Sequence, residues 1–148
     1  MEGRSVTGRV RVNCARALFA LALGSSLAQA ASPAVPIAVD VDWSKAAPVI
    51  VVMTEYRFSP SQLVFHRGVA YRLHLDNRGN ELHEFTAPAF FKAIVLRNPE
   101  ALKAEGREVV LRPGEQTDLY FVAEQPGRYG LTCADHDWTG MVGGIIVD

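Results

Sequence analysis

Near its C-terminal end the chain places a thiol at Cys133, an imidazole three residues on at His136, and a thioether five further on at Met141. These are soft and borderline donors of the kind copper prefers, and one loop between two strands can aim all three inward. A mononuclear thiolate copper site needs a second imidazole in the plane, with the thioether as a weak axial donor. His83, in Asn80-Glu-Leu-His-Glu-Phe85, is the candidate. A binuclear copper centre with bridging thiolates would need two cysteines in the loop, and this loop has one. Zinc also takes Cys and His, yet a methionine at axial spacing serves no purpose in the closed N/S tetrahedron that zinc favours.

Such a loop needs a rigid frame, and the rest of the chain reads as one. From Val49 on it breaks into short runs rich in Val, Ile, Tyr, Phe and Thr, each closed by Gly, Pro or Asn, the pattern of an all-β domain. Strands are expected at 49–58, 62–66, 69–76, 82–86, 108–111, 117–122, 128–133 and 142–147, packed as two sheets. In the third run Val69, Tyr71, Leu73 and Leu75 alternate with Arg72, His74 and Asp76, so the first set should face the core and the second water. Asn98-Pro99-Glu100 to Gly106 carries an N-cap residue, a proline at the first helical position and a closing glycine, which predicts a short surface helix in an excursion between two strands. His66 and His74 are expected at the surface and Met53 in the core. The Phe90-Phe91 pair is read as core of the excursion, with shielding of the metal from water as the sharper alternative.

The first 30 residues have a different character. Arg4, Arg9, Arg11 and Arg16 precede an apolar run from Ala17 to Leu27, followed by Ala28-Gln29-Ala30, the layout of a secretory signal peptide with a small-residue cleavage site. The run is too short for a bilayer span, which takes about 20 apolar residues. Residues 31–48 read as a flexible leader with a possible edge strand at 37–41, and 49–148 as the folded domain. Cleavage after Ala30 would leave 118 residues with 11 basic and 15 acidic side chains and would remove Cys14. Cys133 would then be a lone thiol in an oxidising compartment, where it invites oxidation unless it is buried or coordinated. The absence of a Lys/Arg cluster in the body of the chain argues against a nucleic-acid partner, and no hydrolase, Walker or dinucleotide fingerprint is present.

With these residues in hand, the sequence resembles the cupredoxin, or blue copper, family, whose members carry Cys-x2-His-x4-Met in the last loop. The resemblance runs from about Val49 to Asp148 and takes in Gly127 and Tyr129 before the loop and the Gly-rich strand after it. It implies a Greek-key β-sandwich of about eight strands with one short helical excursion. It also implies one type 1 copper ion held by His83, Cys133 and His136 with Met141 axial, and His136 near the surface as the route for electrons. Two positions depart from the family pattern: Glu84 follows the first histidine where Asn is common, and Asp135 precedes His136 where Pro is common. The implied protein is not an enzyme but an exported, periplasmic, monomeric one-electron carrier without a membrane span once the signal is cleaved. It would dock transiently on a cytochrome or oxidase through Trp138 with Asp135 and Asp137. The alternative is a periplasmic module for copper storage or delivery.

Overall fold

The computed structural model describes residues 41–148. The expected signal peptide, and all but Val41 of the possible edge strand, lie outside these residues. Ten strands are present among them: β1 (Ala47–Thr54), β2 (Arg57–Ser59), β3 (Gln62–Phe65), β4 (Ala70–Asn77), β5 (His83–Thr86), β6 (Ile94–Leu96), β7 (Glu108–Leu111), β8 (Gln116–Ala123), β9 (Gly127–Thr132) and β10 (Val142–Val147). One sheet has the order β2-β1-β4-β8-β6 and the other β3-β10-β9-β5-β7. β1 runs parallel to β4, and β3 parallel to β10. The all-β sandwich expected from the sequence is therefore the observed architecture, and no helix among the described residues is long and apolar enough to cross a membrane.

The two inner faces meet over a core with an aromatic centre. Phe65 stacks on Phe90 with ring centroids 5.5 Å apart, and Phe121 meets both edge-on at 5.0 and 5.4 Å, the offset and T-shaped contacts that aromatic quadrupoles favour. Phe91 packs on Phe85 and Phe90. The Phe90-Phe91 pair is thus core, delivered by a short helix, α1 (Pro88–Phe91), within the stretch expected as an excursion. Met53 is fully buried in the same core.

Several expectations need correction. The run 49–58 is not one strand: it turns at Glu55-Tyr56 so that β2 folds back on β1, with Thr54 opposite Arg57. β6 was not foreseen, and β1 begins at Ala47, inside the span assigned to the leader. The helix at 98–106 is reduced to a 3-10 turn at Pro99–Ala101. Its cap residue is engaged elsewhere: the Asn98 side chain accepts from Tyr120 N and donates to Asp118 O, fastening the loop to β8. Val69 is exposed, and Asp76 is buried because Arg78 and Gln116 donate to its carboxylate at 2.6 and 3.1 Å. His66 is exposed against Asp148, and His74 is partly buried against Asp118.

Candidate metal centre

β9 and β10 are antiparallel neighbours ending at the pair Thr132 and Val142. One step beyond, Cys133 N donates to Met141 O at 3.1 Å, so the thiol and the thioether stand at the two feet of one loop. Within the loop the backbone closes on His136: its carbonyl accepts from Thr139 N and Met141 N, and its own N–H donates to Cys133 O. Gly140, at φ +91°, makes the left-handed return to the strand, a conformation glycine adopts without steric cost. The second imidazole comes from the neighbouring strand. β5 pairs with β9 only at Thr86 and Thr132, and where the two strands part, Glu84 N donates to Cys133 Sγ at 3.4 Å instead of continuing a ladder.

This brings together the three strong donors named from the sequence. The donor atoms of His83, Cys133 and His136 all lie within 4.8 Å of one another. Cys133 Sγ is 3.9 Å from His83 Nδ1 and 3.3 Å from His136 Nδ1. For one ion with metal–sulfur and metal–nitrogen bonds of about 2.3 and 2.0 Å, tetrahedral to trigonal angles put sulfur and nitrogen about 3.5–3.7 Å apart, and the two separations of 3.3 and 3.9 Å fall on either side of that range. The donor set therefore fits a single first-row metal ion. Met141 is fully buried at the same end of the sandwich.

The outer nitrogens of both rings face carboxylates. His136 Nε2 is 2.9 Å from Glu81 Oε2, and the Tyr56 ring lies 4.9 Å from the His136 ring. His136 is therefore partly covered and partly exposed. His83 Nε2 is fully buried and has no hydrogen-bond partner among the described residues; Glu55 Oε1 faces it at 3.7 Å. That same Glu55 oxygen accepts the N–H groups of Asn80 and Glu81. Asn77, fully buried, completes the clamp by donating to Glu81 O and Leu111 O and accepting from Gly79 N, each at 2.9 Å. Gly79 is needed here because a Cβ would fall 2.4 Å from Glu55 Oε1 and 2.9 Å from His83 Nε2. Glu55, Tyr56, Asn77 and Glu81 were missed from the sequence, where only the turn signal at 77–80 marked this loop.

The two departures from the family pattern form one contact. Glu84 is buried, and its Oε2 accepts from Asp135 N at 2.9 Å and from the Cys133 thiol at 3.4 Å. A proline at 135 would have no N–H to give. Burial pushes the Cys133 thiol up to about 11, with the Glu84 carboxylate adding to the rise and the N–H groups of Glu84 and Asp135 opposing it. A metal must displace that proton to bind. Burial, and then the neighbouring His136, hold His83 below the ordinary imidazole value, which keeps its ring neutral and able to ligate.

A family model described as a cupredoxin-like domain matches residues 15–147. No curated protein sequence matches. Among solved structures, auracyanin B superposes with a TM-score of 0.52 at 18% identity, over 70% of this chain and 89% of that one. The dithionite-reduced auracyanin of the photosynthetic bacterium Roseiflexus castenholzii gives 0.52 at 15% identity, over 70% and 98%. At such identities the likeness speaks to the fold.

Proposed function

The chain belongs to the cupredoxin-like domain family, and from that premise we propose that it is an exported one-electron carrier in which His83, Cys133, His136 and Met141 would hold one copper ion. The observation that carries this reading is the convergence of one donor atom each from His83, Cys133 and His136 within 4.8 Å of one another, with Met141 buried at the foot of the same loop. Copper in such a set supplies reversible one-electron chemistry. The protein's part is rigidity. Cys133 and Met141 are tied by a backbone hydrogen bond, His83 stands on a strand, and His136 is held by its own loop, so little has to move when an electron arrives.

Trp138, two residues after His136 and 81% exposed, donates its Nε1 proton to Asp135 O, and Asp135 and Asp137 are exposed beside it. An apolar ring flanked by carboxylates suits brief docking of a basic partner such as a cytochrome, with attraction that salt weakens. A periplasmic location, with removal of residues 1–30, is part of the same reading.

Stopped-flow electron exchange with a soluble cytochrome, run beside copper transfer to a chelator, tests it. A carrier exchanges electrons faster than it releases copper, and neutralising Asp135 and Asp137 together slows exchange and flattens its salt dependence. Cuprous ion leaving faster than electrons exchange, with no response to those substitutions, would assign the protein to copper delivery.

A further inference from the structure

Glu81 occupies a position that its exposed sequence context did not mark. Its backbone is held on both sides, the N–H by the Glu55 carboxylate at 3.0 Å and the carbonyl by Asn77 Nδ2 at 2.9 Å. Among the described residues each of its carboxylate oxygens has one partner: Oε2 faces His136 Nε2 at 2.9 Å and Oε1 accepts from the Tyr56 hydroxyl at 3.4 Å. The Tyr56 ring, in turn, lies against the His136 ring. Imidazole and carboxylate are thus fixed from independent elements, the β9–β10 loop on one side and the β4–β5 loop with the β1–β2 turn on the other.

A carboxylate can only accept, so the nitrogen facing it must carry the proton. In a neutral ring this leaves the lone pair on Nδ1, the atom 3.3 Å from Cys133 Sγ. We propose that Glu81, braced by Tyr56, is the positioning residue that locks His136 in its Nε2–H tautomer with Nδ1 presented to the copper site. The inference builds on the copper reading above for its effect on affinity, while its effect on the tautomer needs no metal. A loop histidine without such a partner divides its proton between two nitrogens and leaves its ring free to turn, so tautomer and pose must both be fixed when a metal binds. Outer-shell partners of ligating histidines are worth roughly 10–100-fold in metal affinity.

The test is nitrogen NMR of histidine-labelled apoprotein, at a pH where the imidazoles are neutral, for the full chain and for Glu81→Gln and Glu81→Ala. His136 should be the Nε2–H tautomer in the wild type, should remain so in the Gln variant, whose carbonyl still accepts, and should become a mixture in the Ala variant. Cuprous affinity, read by competition with a chelator, should fall roughly 10–100-fold in Glu81→Ala and be largely recovered in Glu81→Gln. An Nδ1–H ring in the wild type, or an Ala variant with unchanged tautomer, overturns the proposal. So does equal loss of affinity in Gln and Ala, which would make charge and not the accepting atom the cause. A wild type that binds no copper would sink the copper reading alone, since the tautomer measurement still decides the role of Glu81.

Discussion

Asp135→Pro restores the residue common in the family at this position, and the structure predicts that it harms this protein. Among the described residues the Asp135 N–H is the one backbone donor to the buried Glu84 carboxylate, at 2.9 Å, and proline removes it. Hydrogen bonds to charged groups contribute about 1.5–3 kcal/mol, and without the Asp135 N–H the Glu84 oxygen keeps only the weak Cys133 thiol donor at 3.4 Å. The expected destabilisation is about 2 kcal/mol. Asp135→Ala keeps the N–H and alters an exposed side chain, so it should stay within about 0.5 kcal/mol of the wild type. In a Glu84→Asn background the buried group is a neutral amide, cheaper to leave unpaired, and Asp135→Pro should then cost under about 1 kcal/mol, a coupling above about 1 kcal/mol in the double-mutant cycle. Urea denaturation of the apoproteins, with midpoints compared at constant m-value, measures all four. Equal penalties for proline in both backgrounds, or a proline variant as stable as the alanine one, would refute the claim that residues 84 and 135 act as a pair.

Three other outcomes follow from the same geometry. Gly79→Ala should weaken copper binding and destabilise the fold, because the new methyl meets a Glu55 carboxylate and a His83 ring edge that are both held in place; wild-type affinity and urea midpoint would contradict it. Met141→Leu, nearly volume-conserving in a buried position, should leave copper bound and raise the reduction potential, since a donor that stabilises the cupric state is lost; voltammetry reads the shift, and an unchanged or lower potential would argue against an axial thioether. The Cys133 thiol, raised to about 11 from an ordinary 9.0, favours the folded apoprotein with its full contribution below about 9, and loses it as pH climbs toward 11. Apoprotein stability should therefore fall across that window in the wild type and less so in Cys133→Ser, as followed by denaturation against pH.

How far the sequence carries depends on whether the signal is local. The β9–β10 loop was legible because all its donors sit within nine residues and their chemistry is unusual, and the sandwich was legible because period-two alternation and turn residues are local. The split of 49–58 into a hairpin was not, since Glu55 and Tyr56 interrupt a run of strand-forming residues without a glycine or proline. Asn98 looked like a helix cap because its side chain can satisfy backbone groups; in the fold it satisfies those of β8 instead. The carboxylates at 55 and 81 are ordinary surface residues by type, and only the parallel pairing of β1 with β4, which sets Met53 beside Asn77, carries the β1–β2 turn to the loop that precedes His83. Glu84 and Asp135 were visible as oddities, but their contact across 51 residues was not.

The central claim, that Cys133 with two histidines forms a thiolate copper site, is tested most directly by the visible absorption spectrum of the copper-loaded protein beside that of Cys133→Ser. The wild type should show an intense blue or green charge-transfer band that bleaches on reduction, and the serine variant should lack it, because a hydroxyl cannot supply the sulfur-to-copper transition. A wild type without the band, or a serine variant that keeps it, would contradict the account.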